Sequence, residues 1–217
     1  MEMIFGICGI LGGILCATGD LFLDLKGKDN RQLGKYNLIN TAWGYMDIKR
    51  FEISILLAAI GVPLYFLGLT VLSAELAKES ETFGLVFWLN GLAASIGGLF
   101  IHAYICLMPV VYKKMKPENS IEKIDEVING MYSAVKIPFW VLYIMLTVVS
   151  SIMIYIALGK GFLHISPWCG LLTPIPFMIF GIALRKIKPD VFYDLPGIVC
   201  PSLGLSMMGL LAILNMA

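Results

Sequence analysis

The sequence predicts an all-α protein: a polytopic membrane bundle of six transmembrane helices with both termini on the outer side. Composition is the first reason, because 59% of the 217 residues are hydrophobic and only 14% are charged. Soluble domains have roughly 45–50% apolar and about 25% charged residues. The other two reasons are the number of long apolar stretches and the alternation of basic loops between them.

Six stretches are long enough to cross a bilayer core, which needs about 20 predominantly apolar residues per helix. They leave no room for a separate soluble domain, so we expect residues 1–217 to form a single transmembrane domain. The fifth stretch is the shortest and contains Pro174 and Pro176, which predict a kink or partial unwinding. In chain order the stretches are residues 3–25, 53–76, 84–112, 137–158, 168–184 and 196–216.

Basic residues are concentrated in every second loop. Residues 26–50, 113–136 and 185–188 hold 14 of the 16 Lys and Arg residues, and the alternate loops hold only Lys78 and Lys160. Cytoplasmic loops of membrane proteins carry an excess of Lys and Arg. The three basic loops are therefore expected in the cytoplasm, with the N- and C-termini outside.

Two of the basic loops contain signals for local structure. Asn119 and Glu122 match a capping box, and the apolar residues that follow recur at helical spacing. This pattern predicts a short amphipathic helix at about 120–132 on the cytoplasmic membrane face, with a partner-binding helix as the alternative. The first loop combines its basic residues with Tyr36, Trp43 and Tyr45, and it could fold back as a lid over the end of the first helix.

Three ionisable residues stand out inside the apolar stretches: Asp20 and Asp24 in the first, and His102 in the third. Burying such groups in a membrane costs a few kcal/mol, so each is a candidate functional residue. Asp20 and Asp24 are four apart and share a helix face. All three belong to the cytoplasmic half of the predicted bundle.

Small residues lead up to both ionisable positions, Gly9 and Gly13 before Asp20, and Gly91 and Ser95 before His102. Small residues at this spacing let membrane helices approach closely. We therefore expect the first and third helices to pack together and Asp20 to meet His102. Such a pair can act as a general base, carry a proton or bind a cation, and the alternative is a structural hydrogen bond.

The sequence also excludes several kinds of catalytic and binding site. The two histidines fall on opposite sides of the membrane, which rules out a multi-histidine zinc site, and no metal or cofactor is expected. The sequence has no Walker-type glycine loop, no GxSxG motif and no serine with an evident His–Asp partner. A net charge of +1 gives no reason to expect nucleic acid as a partner. The five cysteines lie in apolar stretches without CxxC spacing, which is typical of packing residues.

Other polar residues within or near the stretches are weaker candidates. Glu75 and His164 are expected near the outer surface, away from the Asp20–His102 pair. The remaining polar groups could be satisfied by hydrogen bonds between helices; they are Asn90, Tyr65, Tyr104 and Asn215.

The first half of the chain resembles an uncharacterised family of small six-helix bacterial membrane proteins. The resemblance rests on GILGGILCATGDLFLD at 9–24, with its Gly19-Asp20 pair, on GVPLYFLGL at 61–69 and on GGLFIHAY at 97–104. It implies a multi-pass protein of a bacterial plasma membrane and no assigned activity. It also places Asp20 and His102 within the family's motifs.

Three functions remain open from the sequence. The first is a pocket lined by Asp20, Asp24 and His102 that handles a lipid-like or small amphiphilic molecule, with these residues as catalytic groups if the protein is an enzyme. The second is a proton-coupled transporter. The third is a non-catalytic membrane scaffold, and in each case the lipid bilayer is a partner and a homo-oligomer is possible.

Overall fold

The computed structural model describes residues 1–27 and 29–217, so Lys28 of the first basic loop lies outside the described residues. The described part of the chain is mainly helical. The helices are α1 (Glu2–Asp24), α2 (Ile48–Glu79), α3 (Glu81–Met115), α4 (Ile121–Ile144), α5 (Ser150–Lys160), α6 (Pro174–Ile187) and α7 (Val199–Met216). Between α1 and α2, strands β1 (Gln32–Leu33) and β2 (Ile39–Asn40) form a small antiparallel hairpin, and a 3-10 turn follows at Thr41–Gly44.

Five helical segments are long and apolar enough to cross a membrane, which fits an integral membrane protein. They are Glu2–Asp24, Ile48–Glu79, Glu81–Met115, Ile121–Lys160 and Val199–Met216. The predicted fifth stretch is divided into a 3-10 helix at Pro167–Leu172 and α6, which begins at Pro174. With 14 residues, α6 is about 21 Å long, shorter than a bilayer core of about 30 Å.

The prediction of a separate amphipathic helix at 120–132 is wrong. Residues in this range are helical, but α4 continues through them and through a π-helical turn at Met145–Val149 into α5. The apolar face of its first turns is covered by protein, because Ile124 and Ile128 are fully buried in a cluster with Ile39 and Trp43. The first loop therefore covers the face that we expected to lie on the membrane.

The prediction that α1 and α3 pack along their small-residue faces is also wrong, because α1 packs on α2 and α7. A Cβ atom added at Gly9 would lie 2.6 Å from Cα of Gly68 in α2 and 3.3 Å from Cα of Gly209 in α7. On α3, Gly91 instead faces Leu69 of α2. Both faces thus contact α2, which lies between α1 and α3.

The three basic loops meet at one end of the bundle. Lys26, after α1, forms an ion pair with Asp194, after α6. Asp125, at the start of α4, accepts a hydrogen bond from the backbone N–H of Lys35 in the hairpin loop at 2.6 Å. We call this the basic end.

The opposite end joins the α5–α6 connection to α7. There the backbone N–H of His164 donates to Asn215 at 2.7 Å, and the Asn215 amide donates to the buried Glu75 at 2.9 Å. Because His164 lies at this end and Asp194 at the basic end, the chain between them passes from one end of the bundle to the other.

Replacing Gly68 with Ala is expected to destabilise the bundle. The new methyl group would lie 2.8 Å from Cα of Gly9 and 3.1 Å from Cα of Gly209, and overpacking of this kind costs about 1–3 kcal/mol. Reversible unfolding in mixed micelles measures the change. The control is Gly130→Ala in α4, where no atom lies within 4 Å of the added Cβ and the helix should be neutral or gain up to about 1 kcal/mol. Equal stabilities of the two variants would contradict the close approach of α1, α2 and α7.

Candidate functional site

Asp20 and His102 are in direct contact. Asp20 Oδ1 lies 2.9 Å from His102 Nδ1, and the two residues are 3% and 9% exposed. The contact predicted from the sequence is therefore present, although the helix packing that was expected to produce it is not. The side chains meet at the end of the α1–α2 contact, where His102 reaches α1 from the far side of α2.

The other ring nitrogen of His102 contacts Ser54 of α2. His102 Nε2 lies 2.8 Å from Ser54 Oγ and 3.1 Å from the Ser54 carbonyl oxygen, and the Ser54 hydroxyl donates to the Gly19 carbonyl at 2.7 Å. The expectation that no serine has a His–Asp partner is thus wrong, since Asp20, His102 and Ser54 stand in the order of a nucleophilic triad. Ser54 is completely buried, however, and its hydroxyl is held by Gly19. It therefore fastens α2 to α1 and is not exposed to a substrate.

Asp20 also contacts α7, because Ser202 Oγ donates to Asp20 Oδ2 at 2.6 Å. Each Asp20 oxygen thus has a protein partner, as a buried carboxylate requires. Four helices, α1, α2, α3 and α7, meet at this group of side chains, which we call the Asp20–His102 centre.

A cavity of about 360 Å³ adjoins this centre, and both Asp20 and His102 line it. Its volume falls in the range of about 300–1,000 Å³ that is usual for small-molecule pockets. Most of its wall is apolar, with contributions from α1, α2, α3, α4 and α7. Aromatic side chains form a large part of that wall: Tyr65, Tyr104, Tyr132, Phe139, Trp140 and Tyr143.

Two of these aromatic residues carry hydroxyl groups without a partner among the described residues. Tyr65 is 2% and Tyr104 is 9% exposed, and neither hydroxyl oxygen makes a hydrogen bond there. The expectation that helix–helix hydrogen bonds satisfy them is therefore wrong, whereas Asn90 does bond to Ser150 across helices at 3.0 Å. Each of these two hydroxyl oxygens has less than 1 Å² of accessible surface, so it is covered by protein although its residue lines the cavity.

Asp24 lies outside the cavity wall, under the segment that follows α6. It is 2% exposed, and its Oδ1 accepts a hydrogen bond from the backbone N–H of Asp194 at 3.2 Å. Burial lowers the pKa of neighbouring Lys26 to about 8, while the charge of Asp24 acts in the opposite direction. Asp24, Lys26 and Asp194 thus hold the 188–198 segment against α1, and Gly197 and Ile198 of that segment close one side of the cavity.

Comparison with known proteins identifies a family for this chain. A model of a family of unknown function, DUF6796, matches residues 1–217. The chain belongs to this family. The match agrees with the resemblance to an uncharacterised family, and it extends over the whole chain. No curated protein and no solved structure matches it.

The DUF6796 chain also has site residues that sequence reasoning missed, above all Ser54 and Ser202. A serine inside an apolar stretch is a weak signal, because its hydroxyl can bond to its own helix, as that of Ser95 does with the Gly91 carbonyl. Among the described residues, no group of three His, Cys, Asp or Glu side chains is placed to hold a metal ion.

Removing His102 is expected to destabilise this DUF6796 protein strongly. His102→Leu leaves Asp20 buried without its partner, which costs about 3–5 kcal/mol. In an Asp20→Leu background the same change should cost much less, because no carboxylate remains to be stranded. A double-mutant cycle of unfolding free energies in micelles measures this coupling.

The second histidine provides the control. His164 contacts Glu79 at 3.0 Å, and both side chains are largely exposed, so His164→Leu should cost about 1 kcal/mol or less. A cycle without coupling between positions 20 and 102 would show that the pair contributes nothing to the fold.

Proposed function

We propose that this protein binds a lipid-like or small amphiphilic molecule in the cavity beside the Asp20–His102 centre. The observation that carries the proposal is a mostly apolar cavity of about 360 Å³ whose wall includes the buried Asp20–His102 pair. An apolar wall with a few convergent polar groups is the usual composition of a ligand pocket. The polar part of the ligand would lie beside Asp20 and His102, and its apolar part against the aromatic wall.

The exposed side of α4 supports entry from the bilayer. Trp140 lines the cavity and is 48% exposed. Its neighbours on one helix face, Ile137, Val141 and Ile144, are 77%, 51% and 46% exposed. An apolar face of this kind suits contact with lipid, so an amphiphile would reach the cavity past Trp140 without crossing water.

The geometry favours binding over base catalysis by the imidazole. Both ring nitrogens of His102 already have protein partners, Asp20 and Ser54. A general base needs a free position within hydrogen-bond reach of the substrate. Acid–base catalysis would therefore have to use Asp20, which also accepts a hydrogen bond from Ser202.

We further propose that the chain crosses a bacterial plasma membrane six times, with the basic end in the cytoplasm. The 3-10 helix at Pro167–Leu172 and α6 together supply the crossing that α6 alone is too short to make. Contacts of His164 at one end and of Asp194 at the other support this arrangement, and so does the excess of basic residues in the three loops that meet at the basic end.

Cysteine labelling tests the sixth crossing. In a background without native cysteines, Lys160→Cys should react with a membrane-impermeant maleimide on intact cells, whereas Lys188→Cys should react only after lysis. Both side chains are exposed, as is Lys35, whose cysteine variant is the cytoplasmic control. Labelling of positions 160 and 188 from the same side would contradict the proposed crossing.

Native mass spectrometry tests the pocket. Purified wild-type protein incubated with host lipid extract should retain a specific small molecule. Ala58→Phe should lose it, because Ala58 is 1% exposed and lines the cavity. The matched control is Ile60→Phe on the same helix, where the side chain is 49% exposed and retention should not change.

The other outcomes separate the rival functions. A molecule that wild type converts chemically would make the protein an enzyme. If no molecule is retained by wild type, or if Ala58→Phe and Ile60→Phe retain it equally, the cavity is not a binding site and a scaffold role is favoured.

A further inference from the structure

The charge of the cavity wall is set by two residues. Of the described residues that line the cavity, two are acidic or basic: Asp20 and His102. Lys26, the nearest basic residue along the chain from Asp20, is paired with Asp194 outside the cavity. The net charge that a ligand meets therefore depends on how many protons the Asp20–His102 pair holds.

The hydrogen-bond network places one proton on His102 Nε2. This nitrogen faces the Ser54 carbonyl oxygen at 3.1 Å, which can only accept, and Ser54 Oγ at 2.8 Å, whose own proton goes to the Gly19 carbonyl. The Cys106 thiol lies 3.6 Å away and contacts Ser54 Oγ at 3.4 Å. An unprotonated Nε2 would direct its lone pair at a carbonyl oxygen, so this nitrogen carries hydrogen.

A second proton must lie between the two residues. With Nε2 protonated, a neutral imidazole has only a lone pair on Nδ1, and an ionised Asp20 would oppose it with another lone pair at 2.9 Å. A hydrogen bond at this distance needs a proton, either on Nδ1 or on Asp20 Oδ1. In the first case the pair is aspartate with imidazolium, and in the second it is two neutral groups. The net charge is zero in both.

We infer that the cavity selects an amphiphile with an uncharged polar head group. The inference rests on the proposed function and adds the chemical class of the ligand. Such a head group adds no charge to a wall whose ionisable side chains, Asp20 and His102, together carry none. An ammonium or carboxylate head group would be buried without an opposite charge, which is strongly unfavourable.

Binding of three probes with the same alkyl chain tests the inference: 1-dodecanol, dodecylamine and dodecanoate. The protein is reconstituted in phosphatidylcholine nanodiscs at pH 8, and Ala58→Phe discs measure partitioning into the lipid. Binding in the cavity is the binding to wild-type discs that Ala58→Phe discs lack. We expect its affinity to be at least tenfold higher for dodecanol than for either charged probe. Equal or tighter binding of dodecylamine or dodecanoate would overturn the inference.

Two variants test whether the pair sets this selectivity. His102→Gln removes the imidazole that shares the proton with Asp20. The Asp20 carboxyl can then ionise beside an ammonium group, so dodecylamine should gain at least tenfold in affinity over its value for wild type. Asp20→Asn keeps the pair neutral and should keep dodecanol as the preferred probe. Unchanged affinity for the amine in a folded His102→Gln variant would show that the pair does not set the selectivity.

The proposed function and this inference fail in different ways. If no probe shows binding that Ala58→Phe removes, the cavity is not a site for amphiphiles and the proposed function fails. If probes bind there but a charged one is preferred, the proposed function stands and only the assignment of an uncharged head group is wrong.

Discussion

The hydrogen bond between Asp20 and His102 is the interaction on which the basic half of the bundle depends. It joins α1 to α3 although α2 lies between them, and its partners Ser54 and Ser202 extend it to α2 and α7. Burying a carboxylate and an imidazole is unfavourable unless their polar atoms have partners. The network provides a partner for both Asp20 oxygens and both His102 nitrogens. Because four helices contribute to it, a change in the position of one helix would leave a buried polar atom unsatisfied.

Close packing of glycines makes this network geometrically possible. Gly9, Gly68 and Gly209 bring α1, α2 and α7 together at the opposite half of the bundle. Such close approach shortens the distance between α1 and α3 across α2, so that the side chain of His102 can pass α2 and reach Asp20. Close packing of glycines in one half and hydrogen bonds between side chains in the other thus stabilise the same arrangement of helices.

The cavity is the part of the structure that stability does not explain. Protein interiors are closely packed, yet here an open volume remains beside a buried polar centre, with two tyrosine hydroxyls that have no described partner. A larger side chain at Ala58, which lines the cavity, would fill part of this volume. A protein that served only as a scaffold would gain nothing from the cavity, whereas a protein that binds an amphiphile needs it. Family DUF6796 has no assigned function that would decide between these roles.

The sequence by itself determined the class of protein, the residues of most helices and the two residues at the centre of the site. Apolar stretches of about 20 residues can satisfy their backbone groups only as helices in a membrane, and an ionisable residue within one needs a partner, so Asp20 and His102 could be singled out without coordinates. Only the tertiary structure decided which helices pack together. A small-residue face at Gly9 and Gly13 specifies that some helix approaches closely, but any other small face is an equally good partner, and the choice of α2 and α7 depends on the whole bundle. The tertiary structure also decided the surroundings of four hydroxyl groups, because the sequence does not indicate which partner a hydroxyl will contact. They belong to Ser54, Ser202, Tyr65 and Tyr104.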